Sequence, residues 1–172
     1  PLSLIMSRNP LVLFKVFMSE DVLAPVNAVL MSGFIGQGPK VDEFEGILQR
    51  HVGNPFLVTL NSATSALHLA ATLGKRPDPD SNWPGIEAGD EVLTTALTCT
   101  ATNWPMLANG LNIKWVDVDP ETCNINLADL EAKITARTKL ITFVHWGGYP
   151  VDLDAIAAIL DRAEARIGFR PW

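Results

Sequence analysis

Hydroxyl and amide side chains are concentrated in one short segment, Asn61-Ser62-Ala63-Thr64-Ser65, which follows an apolar run and precedes a helical pattern. Backbone N–H groups at a helix start, together with the positive end of the helix dipole, bind phosphate, and nearby hydroxyls add donors. The segment therefore indicates a site for a phosphorylated ligand. Ser62 or Thr64 serving only as a helix cap is the competing interpretation, and the more common role of such residues. The turn lacks the glycines of a P-loop or a dinucleotide-binding motif.

Two elements must position this turn. Residues 56–60, Phe-Leu-Val-Thr-Leu, are apolar or β-branched and uncharged, which predicts a strand covered on both faces of a parallel sheet. The helix that follows the turn places Leu67, Leu69 and Ala70 inward. The predicted unit is a strand, a tight polar turn and a helix.

Strands and helices alternate along the rest of the chain. Strands are predicted at 91–95, 113–116 and 140–144, and helices at 19–32, 40–51, 98–109, 127–134 and 153–160. Ser19 begins the first of these helices, and Asn126 and Asp152 are predicted to cap the last two. Pro105 is expected in the first turn of its helix, where proline is tolerated. This order predicts an α/β fold, a mostly parallel sheet with helices on both faces. Ligands bind at the carboxyl ends of such strands, so the loops at 61–64, 98–103 and 145–150 should converge on one edge.

Composition narrows the class of protein. The chain has 172 residues, 48% of them hydrophobic, and a formal charge of −6, which fits one folded, soluble domain without a basic face for nucleic acid. Cys99 and Cys123 lie far apart, so neither a disulfide framework nor a zinc site is indicated. The apolar run at 11–18 is interrupted by Lys15 and too short to span a bilayer. We expect a cytoplasmic protein with no membrane partner.

Several motifs carry a resemblance to a known family. In chain order they are Gly36-Gln37-Gly38-Pro39-Lys40-Val41-Asp42-Glu43-Phe44-Glu45, Asn61-Ser62-Ala63-Thr64-Ser65-Ala66-Leu67, Gly89-Asp90-Glu91-Val92, Asp117-Val118-Asp119-Pro120, Arg137-Thr138-Lys139 and Val144-His145-Trp146-Gly147-Gly148-Tyr149-Pro150-Val151-Asp152-Leu153. Together they resemble the DegT/DnrJ/EryC1/StrS family of pyridoxal-phosphate (PLP)-dependent sugar aminotransferases. The resemblance covers almost the whole chain.

The resemblance implies a fold and an activity. Residues 1–172 are expected to form part of the large, cofactor-binding domain of the PLP-dependent transferase fold type I, truncated and without the small C-terminal domain. The complete protein is expected to be a homodimer that transfers an amino group from glutamate to a keto group on a nucleotide-linked sugar, as in amino-sugar biosynthesis. The alternative is a non-catalytic fragment that binds a phosphorylated ligand or a partner subunit.

The resemblance also assigns site residues. It places the cofactor phosphate at Ser62, Ala63 and Thr64, with Cys99 and Thr102 in the second loop as further cofactor contacts. Cys99 stands where many members carry an aromatic ring that stacks on the pyridine, which a thiol cannot do.

Three further residues are candidates. Phe34 and Gln37 are expected on the substrate side. His145 is expected either to pair with a cofactor group or substrate hydroxyl, or to pin its own loop.

Family members continue beyond a segment like residues 168–172. They add a strand whose aspartate pairs with the pyridine nitrogen, and later the lysine that forms the Schiff base with PLP. No lysine of this chain matches that position, so this chain alone is expected to be catalytically inactive.

Overall fold

The computed structural model describes residues 15–172. The chain divides into two compact units, one ending at Thr59 and one comprising Leu60–Trp172. The predicted apolar run at 11–18 falls partly outside the described residues. Within residues 15–172, no helix combines the length and the apolar character needed to cross a membrane.

The first unit consists of helices. A 3-10 helix, Glu20–Val22, leads into α1, Leu23–Ser32, and α2 follows at Pro39–Val52. Ser19 caps the start as predicted, because its Oγ accepts the Asp21 N–H. Gly33 and Gly53 end the two helices in the left-handed region, at φ of 79° and 75°, where glycine has no steric cost. Within the loop at 33–39, a positive φ occurs at Gly33 alone.

The strand predicted at residues 56–60 is wrong. The segment is irregular, and Phe56 and Val58 are 89% and 62% exposed. Side chains from α2 hold it: Glu45 Oε1 accepts both the N–H and the hydroxyl of Thr59 at 2.7 and 2.8 Å. An apolar pattern makes a strand only when a neighbouring strand supplies hydrogen bonds, and the three-stranded sheet in the described residues does not include this segment.

The second unit is built on a parallel sheet. Its strands are β1 (Glu91–Thr95), β2 (Asn112–Val116) and β3 (Thr138–Thr142), in the order β2-β1-β3. The helices are α3 (Ala63–Leu73), α4 (Thr100–Ala108), α5 (Leu127–Lys133) and α6 (Leu153–Ile167), with short 3-10 turns at Pro79–Ser81 and Trp146–Gly148. The predicted helix caps Ser62, Asn126 and Asp152 are confirmed.

Helices cover both faces of this sheet. Side chains alternate along β1, so Val92 packs in one cluster with Ala71 of α3 and Met106 of α4. Leu93 packs in the other cluster, with Leu130 of α5 and Ile159 of α6. The predicted α/β class, with a parallel sheet between two helical layers, is confirmed.

Pro105 does not lie where the sequence predicted. It is buried inside α4, past the first turn, because the helix begins at Thr100. Proline lacks the N–H that would reach the Ala101 carbonyl. Packing compensates, since Met106 beside it is buried and the Asn109 amide donates to the Pro105 carbonyl at 2.9 Å.

The last residue pairs with the outer edge of β3. Trp172 N–H donates to the Lys139 carbonyl at 3.0 Å, and its carbonyl accepts the Ile141 N–H at 2.7 Å, the pattern of a parallel pair. The Trp172 ring stacks on Trp83, whose indole N–H donates to the Gly74 carbonyl. The outer edge of β3 is therefore engaged by Trp172.

Candidate ligand site at the carboxyl edge of the sheet

The segments that follow two neighbouring strands lead to opposite faces of the sheet. β1 continues into α4, which packs on the Val92 face, whereas β3 continues into α6, which packs on the Leu93 face. A crevice opens between such diverging connections, at the carboxyl ends of the strands, and this is where open α/β sheets bind ligands. The loops at 96–99 and 143–152 border it, so two of the three loops predicted at this edge, 98–103 and 145–150, follow neighbouring strands. The third, 61–64, follows no strand of this sheet.

The start of α3 presents free donors. Ser62 is the N-cap: its Oγ accepts the Ser65 N–H at 3.1 Å and contacts the Ser65 hydroxyl at 2.9 Å. Within the described part of the chain, the N–H groups of Ala63 and Thr64 have no acceptor. The capping interpretation is thus correct for Ser62, and it leaves two backbone donors for a ligand.

The same turn meets the requirements of a phosphate group. No acidic residue lies in the first turn of α3, so the positive end of its dipole is not neutralised locally. The turn is exposed from Asn61 to Thr64, and Ser65 supplies a further hydroxyl. These groups fit the phosphate of PLP.

The start of α3 lies beside the middle of α4. Thr64 and Ser65 line a cavity of about 360 Å³ together with Trp104 and Pro105. Trp104 is 61% exposed. The start of α3 and the middle of α4 therefore share one surface.

The predicted second-loop residues lie at the α4 start. Cys99 is its N-cap residue, is exposed and makes no capping hydrogen bond. Thr102 is tied to Thr98 by a 2.8 Å hydroxyl contact, and Thr94 at the end of β1 donates to Asn103. This arrangement fixes the loop on the carboxyl end of β1 and leaves the Cys99 thiol facing outward.

His145 follows β3 and has one ring nitrogen engaged. Its Nδ1 accepts the N–H of Val151 at 3.0 Å, so the ring pins its own loop. The edge of the ring lies against Phe143, with centroids 5.9 Å apart. The side chain is otherwise exposed. The structure thus shows His145 in one of its two predicted roles, that of pinning its own loop. Its Nε2 is left for the other predicted role, a contact with a cofactor group or a substrate hydroxyl.

Asn124 is a functional candidate that sequence reasoning missed. It is only 6% exposed, and its amide joins both ends of the turn after His145. Its Oδ1 accepts the Trp146 N–H at 2.9 Å and its Nδ2 donates to the Tyr149 carbonyl at 3.0 Å. The available signal was a second asparagine, two residues before the helix cap Asn126, in a polar segment after a strand.

A polar cleft of about 590 Å³ lies beside this turn. Among its lining residues are Asp119, Asn124, Tyr149 and Asp152. The Thr122 backbone N–H, and then the Thr122 hydroxyl, hold the pKa of Asp119 below its ordinary value. Asp119 is therefore an ionised acceptor that orders the loop after β2.

The two substrate-side candidates belong to the first unit. Phe34 is 65% exposed and lines an apolar cavity of about 780 Å³ with Val29, Val41 and Phe44. Gln37 is exposed and does not line that cavity. The first unit thus offers Phe34, and not Gln37, to a ligand in this cavity.

Comparison with known proteins identifies relatives. A sequence model of the DegT/DnrJ/EryC1/StrS aminotransferase family matches residues 17–167. The spore coat polysaccharide biosynthesis protein SpsC of Bacillus subtilis (strain 168) is 37% identical over 140 residues, which cover 81% of this chain and 33% of SpsC.

Solved structures agree. The sugar aminotransferase CalS13 from Micromonospora echinospora superposes with a TM-score of 0.79 and 50% identity, covering 91% of this chain and 40% of CalS13. Spr1654 from Streptococcus pneumoniae, solved in its PLP-form, gives a TM-score of 0.76 and 30% identity, covering 87% of this chain and 36% of Spr1654. The chain thus spans two fifths or less of the length of these relatives.

Proposed function

This chain belongs to the DegT/DnrJ/EryC1/StrS aminotransferase family, whose cofactor is PLP, and from that premise we propose that the complete protein is a nucleotide-sugar aminotransferase. It moves an amino group from glutamate to a keto group on a nucleotide-linked sugar, as a cytoplasmic homodimer. The observation that carries the proposal is the start of α3, where a capping serine leaves two backbone donors without acceptors next to α4, the helix that follows β1.

The residues at the starts of α3 and α4 have different roles in binding the cofactor. The N–H groups of Ala63 and Thr64 donate to the cofactor phosphate, and the hydroxyl of Ser62 keeps the helix start in place for them. When bound, PLP supplies the electron sink that lets an amino group move between carbon centres. Cys99 and Thr102 form the wall of the site on the α4 side.

The lysine that holds PLP covalently is proposed to lie outside this chain. Four of the six lysines are engaged: Lys40 pairs with Glu43, Lys133 with Asp129, Lys114 donates to the Lys133 carbonyl, and Lys139 is buried over Phe169. Of the other two, Lys75 follows the end of α3 opposite its ligand-binding start, and Lys15 belongs to the first unit.

Treatment of residues 1–172 with PLP and borohydride tests that assignment. We expect no stoichiometric attachment at a single lysine. Attachment at one lysine, with glutamate-dependent turnover of a keto sugar by this chain, would show that the catalytic lysine is among the six.

The activity is tested on the complete protein. With PLP and glutamate, a panel of nucleotide-linked keto sugars should yield 2-oxoglutarate and one amino sugar. A variant with Ser62→Asp, which keeps the helix cap but places a negative charge at the phosphate position, should lose PLP and turnover together. Turnover without PLP, or no turnover with any keto sugar, would refute the proposed reaction.

A second candidate is a non-catalytic unit that binds a phosphorylated ligand or a partner subunit. The observation behind it is that the chain spans only 33% of SpsC and 40% of CalS13. The coding sequence downstream of the Trp172 codon separates the two. An open frame that soon encodes an acidic strand and a lysine supports the enzyme, whereas a stop codon supports the binding unit.

A further inference from the structure

The two ring nitrogens of His145 have different surroundings. Nδ1 accepts a hydrogen bond from the Val151 backbone N–H at 3.0 Å. A backbone N–H can only donate, so Nδ1 carries no proton, and in the neutral ring the proton is on Nε2. Nε2 makes no hydrogen bond within the described residues. The ring therefore presents a donor, Nε2–H, to the solvent side of the loop.

Asn124 holds the turn that follows this ring. Its amide oxygen accepts the Trp146 N–H and its amide nitrogen donates to the Tyr149 carbonyl, so both ends of the turn that follows His145 are fixed by one side chain. Gly147 and Gly148 within the turn have φ of 59° and 81°, values that glycine adopts without steric cost. The turn is thus a tight structure closed over a buried amide.

The residue before Asn124 is held in an unusual conformation. Cys123 has a φ of 59°, which is costly for a residue with a side chain, and its N–H donates to the Asp119 carbonyl at 2.8 Å. The Asn124 carbonyl accepts the Asp119 N–H, also at 2.8 Å. A strained residue persists where surrounding hydrogen bonds fix it. Here the two bonds to Asp119 hold the backbone so that the Asn124 amide extends from the loop after β2 to the loop after β3.

This linked pair of loops borders the crevice described above. β3 ends at Thr142, three residues before His145, and its neighbour β1 leads to the opposite face through α4. A ligand whose phosphate is bound at the start of α3 brings further acceptor oxygens, namely the oxygen substituent on the cofactor ring and the hydroxyls of the sugar. A neutral donor of fixed orientation suits such an oxygen, because it needs no change of protonation to bind.

We propose that His145 donates its Nε2–H to an acceptor oxygen of the bound cofactor or sugar, and that Asn124 is the positioning residue that holds His145 for this contact. The inference rests on the proposed aminotransferase function. It assigns the second role of His145 and gives Asn124 a task beyond packing.

Two conservative variants of His145 separate its two nitrogens. In His145→Asn the amide oxygen takes the place of Nδ1, so the bond from Val151 is kept and the outer donor is lost. In His145→Gln the amide nitrogen takes the place of Nε2, so the donor is kept and the bond from Val151 is lost. His51→Asn on α2, an exposed histidine in the first unit, is the matched control.

The complete protein is used, with PLP affinity followed by absorbance and sugar KM by turnover. His145→Asn should weaken the binding of either PLP or the sugar by about tenfold, which is the effect of one hydrogen bond to a charged or polar ligand. A weaker PLP complex with an altered absorption band identifies the cofactor oxygen, and a raised sugar KM at unchanged PLP affinity identifies a sugar hydroxyl. His145→Gln should bind the affected ligand more tightly than His145→Asn does. If His145→Asn matches the wild type and the control in both readouts, the proposal is wrong.

Nitrogen-15 NMR of the histidine rings tests the positioning role of Asn124 without turnover. The wild type should show the neutral Nε2–H form for His145, and Asn124→Ala should shift the signal toward a mixture of forms. Asn112→Ala, which removes an exposed amide bonded to the Gly89 carbonyl, is the control and should leave the signal unchanged. An unchanged signal in Asn124→Ala overturns the positioning role.

A double-mutant cycle completes the test. Asn124→Ala should weaken the same ligand as His145→Asn, and it should add little in a chain that already carries His145→Asn. Full additivity would mean that Asn124 acts independently of His145, against the proposal. If no keto sugar is aminated but PLP affinity still responds to His145→Asn, the reaction is refuted while the contact stands.

Discussion

Ser62 has two roles that one pair of substitutions can separate. Its Oγ accepts the Ser65 N–H at 3.1 Å and so caps α3, and the N–H groups beside it are proposed to bind phosphate. Ser62→Ala removes the cap, which costs about 1 kcal/mol in the free energy of unfolding. Ser62→Asp retains a capping oxygen and adds a negative charge at the positive end of the helix dipole. Its free energy of unfolding should equal or exceed that of the wild type by about 0.3–1 kcal/mol.

Ligand binding should respond differently. A carboxylate and a phosphate about 4 Å apart repel by about 1 kcal/mol per charge pair in water and about 4 kcal/mol near a protein surface. Ser62→Asp should therefore weaken PLP binding by at least about tenfold, although it folds as well as the wild type. Ser62→Ala should lower the free energy of unfolding and also weaken PLP binding. Its effect on PLP binding should be smaller than that of Ser62→Asp.

Urea unfolding followed by circular dichroism and PLP titration by absorbance measure the two effects. Asn126→Ala is a matched control, because it removes the cap of α5 at the Asp129 N–H and leaves the start of α3 intact. Two results would refute the reasoning. One is Ser62→Asp unfolding as easily as Ser62→Ala, which would deny the cap, and the other is Ser62→Asp binding PLP as tightly as the wild type, which would place the phosphate elsewhere.

Three further predictions concern the two units. Leu93→Ala, at a fully buried site in β1, should lower the free energy of unfolding by about 2–5 kcal/mol in urea titrations, and a loss below about 1 kcal/mol would mean that the site refills. Trp83→Phe removes the hydrogen bond to the Gly74 carbonyl and should cost about 1–3 kcal/mol by the same measurement, whereas no loss would show that this bond is not formed in solution. The Thr59 N–H, and then its hydroxyl, hold the pKa of Glu45 below its ordinary value of 4.5, so stability of the first unit should be full above that pH and decline as the pH falls below it. Glu45→Gln should flatten this dependence in thermal scans, and an unchanged slope would exclude Glu45 as its source.

Local signals in the sequence predicted much of the fold. A serine, an asparagine and an aspartate each precede a helical pattern, and Ser62, Asn126 and Asp152 are the caps in the structure. β1 has the predicted bounds and is buried along most of its length. These features depend on neighbouring residues in the chain, so the sequence contains the information that determines them.

The errors come from information that is not local. Residues 56–60 have the composition of a strand, but composition does not supply a hydrogen-bonding neighbour. The sequence pattern predicts Pro105 in a first turn because it does not show where α4 begins, and tertiary packing accommodates this proline further along the helix. Asn124 escaped notice because its importance comes from two backbone groups more than twenty residues later in the chain.

The candidate site also contains one feature that neighbouring residues predict and one that they do not. The start of α3 was recognisable because a capping serine and a helix start lie within a few residues. The roles of the His145 nitrogens depend on the Val151 N–H, and hence on a loop conformation that no sequence pattern specifies. A residue type with two possible roles is resolved only when its neighbours in space are known.

The strand order has a consequence for the way the chain folds. Among the described residues, β1 is the first strand along the chain and also the middle one in the sheet, so each later strand adds to an edge that already exists. β2 returns to β1 after one short helix, and the smaller loop closes at a lower entropic cost than the longer connection to β3. We expect β1, α4 and β2 to form the folding nucleus, with β3 and α6 docking afterwards. Substitutions in β1 should then slow refolding, while those in α6 mainly speed unfolding.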